Sequence, residues 1–162
     1  MLEIALAEFP QLALDTREIA RGGKSYTVDT LADLRAEMPA RSLGLLVGAD
    51  ALLGLPGWHR WNELFELAHV IVIPRPGIAL EAPLAEPLAS QWRKRLARDA
   101  GVLRTTTAGS IYVQPVTAQP ISSTAIRAAL ACGQARSVEF AGLLPAAVMA
   151  YIESNHLYVP TR

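Results

Sequence analysis

Apolar residues recur at helical spacing from the first residue. Leu2, Ala5, Leu6 and Phe9 in MLEIALAEF predict a helix over residues 1–9. No Ser, Thr, Asp or Asn stands before it as a cap, so the chain is expected to open inside an element. Pro10 ends the helix, and Leu12 to Leu14 form a short strand candidate. Gly22-Gly23 reads as a turn. Ser25 to Met38 reads as an amphipathic helix with Val28, Leu31, Leu34 and Met38 on one side, Ser25-Tyr26-Thr27 as its cap and Pro39 as its stop.

The next run, Leu43 to Val47, is apolar throughout and closes on Gly48-Ala49-Asp50. Such a run suits a strand buried on both faces of a parallel sheet. A second amphipathic stretch, Arg60 to Ala68, leads into His69 to Pro74, whose β-branched content predicts a strand. Beyond the Arg75-Pro76-Gly77 turn, Pro83 and Pro87 suggest loop and Leu88 to Arg98 a helix. Ile111 to Val116 reads as a strand and Ser122 to Ala131 as a helix ended by Gly133. Pro145 to Ser154 reads as a last helix, with Pro145 at the favoured first position. The alternation predicts one α/β domain over residues 1–162, a sheet with helices on both faces.

Composition narrows the class. With 51% hydrophobic residues in 162, the chain can bury a substantial core. Fifteen basic residues balance fifteen acidic ones, so net charge gives no reason to expect nucleic acid or an anionic membrane as partner. The basic cluster Arg93-Lys94-Arg95, with Arg98 and Arg104, reads as a solvated helix face. Cys132 is the sole cysteine, which excludes an internal disulfide and a cysteine metal cluster. His59, His69 and His156 lie far apart, with no carboxylate at ligand spacing. Glu3, Glu8 and Asp15 interrupt what a signal peptide would need. Asp50 and the Pro56-Gly57 turn break the longest apolar region. The expectation is a cytoplasmic protein.

Several segments carry candidate chemistry, each with a plainer alternative. Ile121-Ser122-Ser123-Thr124-Ala125-Ile126-Arg127 opens a helix with hydroxyl residues. A helix start presents N–H groups and positive potential to phosphate, and Arg127 one turn on can reach the same anion. The alternative is an N-cap followed by a solvated arginine. Asp50 follows a strand, where open α/β sheets bind ligands, and its carboxylate can accept from a ribose diol. Alternatively it caps the next helix. Arg75 occupies the matching place after the next strand, or is a surface arginine in a turn. Trp58, beside the Pro56-Gly57 turn, can stack on a flat heteroaromatic ring or simply pack in the core.

Taken in order, these segments resemble bacterial nicotinate-mononucleotide adenylyltransferases. The resemblance runs from Met1 to Tyr158 and rests on four stretches. They are MLEIALAEFPQLALDTREIARGGKSYTVDTL, LGLLVGADALLGLPGWHRWNELFELAHVIVIPRPG, ISSTAIRAAL and LLPAAVMAYIESNHLY. ISSTxxR is shared across the nucleotidyltransferase superfamily, whereas the SYT, GAD, GW and RPG segments narrow the match to the nicotinate branch. The resemblance implies a Rossmann-like nucleotidyltransferase fold. It also implies transfer of AMP from ATP to nicotinate mononucleotide, with magnesium, giving deamido-NAD and pyrophosphate. Asp50 would bind the adenosine ribose, Ser123, Thr124 and Arg127 the ATP phosphates, and Arg75 would line the nucleotide site. Trp58 would stack on the pyridine ring, and N–H groups near Thr27 and His59 would receive the nicotinate carboxylate.

One departure stands out. Members of the family begin with a strand and a GGxFDPxHxGH-like motif whose histidines contact the transferred phosphates. Here His59 is followed by Arg-Trp-Asn, His69 by Val-Ile-Val and His156 by Leu-Tyr-Val. The chain is therefore expected to be incomplete at its N-terminus, with the first strand or strands of the sheet missing, and inactive by itself. The alternatives are a non-catalytic nucleotide-binding remnant and another adenylyltransferase such as the pantetheine-phosphate branch. Trp58 and the SYT segment argue against the latter.

Overall fold

The computed structural model describes residues 1–75, 84–117, 122–132 and 143–158. In chain order the elements are α1 (Leu2–Leu6), α2 (Arg17–Arg21), α3 (Thr27–Glu37), β1 (Gly44–Gly48), α4 (Ala49–Leu53), α5 (Leu64–Leu67) and β2 (His69–Ile73). They continue with α6 (Leu88–Arg95), β3 (Leu96–Ala97), α7 (Val102–Thr105), β4 (Ile111–Val113), α8 (Ser123–Ala131) and α9 (Ala146–Ser154). The fold divides into two compact units, one of residues 17–120 and one of residues 1–16 with 121–162.

The first unit holds the sheet. Its described strands run in the order β1-β2-β4-β3, every neighbouring pair parallel. Central β2 is the most deeply buried, with His69, Val70 and Val72 fully enclosed. Its β-branched side chains fit the pleated surface and pack with Val28 and Leu31 of α3, Leu52 of α4, Leu64 and Phe65 of α5, and Ile111 of β4. β4 stops at Val113, shorter than the predicted run to Val116. The Gln114 N–H still donates to the Val72 carbonyl at 2.9 Å, but Pro115 has no N–H to continue the ladder.

β1 departs from its expected double burial. Val47 is buried, but Leu46 is 65% exposed. The reason is position: among the described residues β1 is an edge strand with β2 on one side only. The expected strand at Leu12–Leu14 does not form either. Both leucines are exposed, and the Leu12 N–H turns back to the Phe9 carbonyl at 2.9 Å instead of joining a strand ladder.

Three helix readings need correction. Arg60 to Ala68 is not one helix, because Arg60 sits in the left-handed region at φ 51°, ψ 37°, outside any right-handed helix. A 3-10 turn, Trp61–Glu63, and then α5 follow it. The helix expected over Leu88–Arg98 ends at Arg95, where Leu96 and Ala97 turn extended to pair with β4. Pro145 is the N-cap of α9 rather than its first helical residue.

Polar side chains fix the loops around the sheet. Buried His69 accepts at Nδ1 from the Ser110 N–H (3.1 Å), which leaves Nε2 to donate to the Thr106 carbonyl (3.0 Å). Arg35 on α3 donates to the carbonyls of Leu67, Met38, Arg41 and Thr107. Arg95 is no solvated member of a basic face. Its guanidinium lies 4.8 Å from the Phe65 ring centroid and bonds Glu66, Gln91 and the Gly109 carbonyl. Arg93 pairs with Glu86 at the helix surface.

In the second unit α1 contacts α9, and Ala129 of α8 with Val148 and Ile152 of α9 are buried. Among the described residues no helix is long and apolar enough to cross a membrane.

Candidate functional site

A cavity of about 260 Å³ opens in the sheet-bearing unit, lined by Ser25, Tyr26, Thr27, Gly57, Trp58 and His59. It joins two segments distant in the chain: the start of α3 and the loop after α4. Thr27, Trp58 and His59, singled out in sequence as the nicotinate mononucleotide set, therefore share one wall-to-wall site.

The α3 wall differs from its reading as a side-chain cap. The N-cap residue is Tyr26, with no side-chain cap bond. The first intrahelical bonds run from the Asp29 and Thr30 N–H groups to the Tyr26 carbonyl. The amides of Thr27 and Val28 precede these bonds, and such first-turn N–H groups find no acceptor within a helix. The positive end of α3 thus borders the cavity.

The loop wall is set by Trp58 and His59. Trp58 is partly buried and packs against the core while also lining the cavity. His59 is exposed, and its ring lies 4.2 Å, centroid to centroid, from that of Tyr26. Arg60 next to it bonds Glu63 and Asp29. Hydrogen bonding from Arg60 holds the Glu63 carboxyl below the usual carboxylate range, aided by charge on Arg60 and His59.

Asp50 and Arg75 come together at the carboxyl ends of β1 and β2. The Arg75 Nε lies 3.4 Å from Asp50 Oδ1. The alternative of Asp50 as a cap does not hold: α4 is capped by Gly48 without any side-chain bond, and Asp50 lies in its first turn. Both partners are about half exposed, so the pair faces solvent where strand ends of α/β sheets receive ligands.

Ser123, Thr124 and Arg127 belong to α8, in the other unit. The Ser122 hydroxyl caps the helix, accepting from the Ala125 N–H at 3.0 Å. Ser123 and Thr124 occupy the first two helical positions, exposed, and Arg127 is exposed one turn on. The capping alternative thus describes Ser122, and it leaves the next two amides for an anion. Ile121, Pro76, Gly77, Pro83 and Gly133 lie outside the described residues. Among the described residues no three His, Cys, Asp or Glu side chains group to hold a metal ion.

Sequence reasoning missed Arg60, Gly48 and the ring of Tyr26. The Asp29, Arg60 and Glu63 charges are visible in the sequence, but nothing local says that they meet.

Parallel strands with charged groups at their carboxyl ends define a class of α/β domain whose ligands are received at those strand ends. Comparison with known proteins makes this specific. No family model matches the chain. It is 51% identical over 144 residues to a protein of Halorhodospira halophila described as a probable nicotinate-nucleotide adenylyltransferase, covering 89% of this chain and 63% of that one. A protein of the same description from Methylococcus capsulatus is 46% identical over 98% of this chain and 73% of its own length. The chain belongs to the nicotinate-nucleotide adenylyltransferase family. The fold agrees: the Plasmodium falciparum nicotinic acid mononucleotide adenylyltransferase complexed with APC superposes with a TM-score of 0.56 at 16% identity. That superposition covers 85% of this chain and 60% of the other. The same enzyme complexed with NaAD gives 0.55. The chain thus spans roughly three fifths to three quarters of the proteins it matches.

Proposed function

We propose that the protein to which this chain belongs transfers the AMP part of ATP to nicotinate mononucleotide in the cytoplasm, for NAD biosynthesis. The mononucleotide phosphate oxygen attacks the α-phosphorus of ATP. The bond from that phosphorus to the bridging oxygen breaks, and pyrophosphate leaves with its electron pair, yielding deamido-NAD. The observation that carries this reading is that the Tyr26-Thr27 and Gly57-Trp58-His59 segments line one shared cavity. Its aromatic wall suits a pyridine ring, and the positive end of α3 suits a carboxylate. An amide in that place would set its own N–H₂ donor against an N–H group.

The remaining roles follow from place and chemistry. Asp50, already oriented by Arg75, offers a carboxylate to the adenosine ribose diol. The first amides of α8, with Ser123, Thr124 and Arg127, hold triphosphate oxygens. Magnesium would enter on the triphosphate. It keeps several waters and needs few protein ligands, so it does not require a dedicated cage, and among the described residues no three His, Cys, Asp or Glu side chains form one.

Residues 1–162 contain no H-x-G-H, which favours a narrower role for them alone: binding without turnover. The test joins a relative's N-terminal segment, carrying that motif, ahead of residue 1. The joined protein should release pyrophosphate only when ATP and nicotinate mononucleotide are both present, and residues 1–162 alone should release none. Faster release with pantetheine phosphate as acceptor would overturn the reading.

A further inference from the structure

The cavity walls come from separate segments, and one side chain ties them together. Arg60 follows His59 and adopts the left-handed conformation that residues with a Cβ seldom enter. Its Nε donates to Glu63 Oε1 at 2.8 Å, and one terminal nitrogen donates to Glu63 Oε2. The other terminal nitrogen, Nη1, donates to Asp29 Oδ1 at 3.2 Å. Asp29 lies in the first turn of α3, two residues past Thr27, and Glu63 closes the 3-10 turn that follows the Trp58-His59 loop. A planar guanidinium serves two carboxylates at once, which a single ammonium matches poorly. The Tyr26 and His59 rings meet between the bridged segments.

We propose that Arg60 is a positioning residue that sets the width of this cavity by clamping its loop wall to the first turn of α3, and so tunes its fit to an aromatic carboxylate. The ligand's identity rests on the function proposed above, whereas the clamp itself does not. The Arg60 side chain is 46% exposed, and exposed pairs add little to global stability. Its loss should therefore act locally.

The test uses residues 1–162, two variants that lose the fork, and Arg60→Lys, which keeps the charge. Arg60→Met removes the fork. Arg60→Gly also removes it but accepts the left-handed backbone without strain. Four quantities are measured: NMR cross-relaxation between the Tyr26 and His59 rings, the Kd of nicotinate mononucleotide, the Kd of ATP, and the melting temperature. Both fork-less variants should weaken the ring signals and raise the mononucleotide Kd about three- to tenfold, with the ATP Kd and the melting temperature unchanged. Arg60→Lys should recover only part of the loss. A wild-type chain that does not bind nicotinate mononucleotide would overturn the ligand assignment, and the ring signals would still decide the clamp. Ring signals equal to wild type in both fork-less variants, or weakened signals with an unchanged mononucleotide Kd, would overturn the proposal.

Discussion

Asp50 and Arg75 meet above the backbone of Gly48, with Nε 3.4 Å from Oδ1 and Nη1 3.5 Å from Oδ2. A Cβ on Gly48 would stand 2.6 Å from that Oδ1 and 3.1 Å from that Nε. The glycine is there for close approach rather than for a special backbone angle, since its φ is −69°. Gly48→Ala should force the pair apart and weaken ATP binding, while the melting temperature hardly moves because the pair is exposed. Calorimetric titration of ATP into both proteins checks this, and an unchanged ATP Kd would count against Asp50 as the ribose ligand.

Trp58 both lines the cavity and packs against the core. Trp58→Ala should therefore lower stability by about 1–3 kcal/mol and weaken nicotinate mononucleotide more than ATP. Trp58→Phe retains a ring and should restore most of the stability and part of the binding. Denaturant melts beside the two titrations separate these effects. Equal losses for both ligands would reduce Trp58 to a packing residue.

His69 has a structural task. Both ring nitrogens are bonded to backbone groups around the loop before β4, and the ring is fully buried. Truncation to Ala leaves a cavity, an unpaired N–H and an unpaired carbonyl, at a cost of about 2–5 kcal/mol. A urea melt of His69→Ala with a midpoint at the wild-type value would refute this role.

Much of the architecture was legible where local chemistry and tertiary demand agree. The HVIVI run is a strand because it is central and covered, and α8 starts after Ser122 because that hydroxyl caps it. What escaped notice depends on contacts across the chain. Arg60 breaks an otherwise helical pattern by turning left-handed, with partners on two different elements. Leu96 and Ala97 become strand only because β4 lies alongside. The candidate site was legible only as a set of residue types at given spacings. Its pairing of Asp50 with Arg75, and the cavity between α3 and the Trp58 loop, were not, because each joins residues that a local pattern cannot connect.

The edge of β1 carries a solution prediction. Leu46 is 65% exposed on a strand with one described neighbour, and unpaired backbone beside apolar surface invites another chain. Residues 1–162 should self-associate with rising concentration, and Leu46→Lys should reduce it. Sedimentation at several loadings decides, and a monodisperse monomer throughout would contradict the expectation.

The cavity between Thr27 and Trp58-His59 is proposed to select a carboxylate on a pyridine ring. Parallel calorimetric titrations of residues 1–162 with nicotinate mononucleotide and with nicotinamide mononucleotide test it most directly, because the two ligands differ only in that group. The acid should bind more tightly by about tenfold or more, the cost of setting an amide donor against an N–H of the first turn of α3. Equal affinities, or tighter binding of the amide, would contradict it.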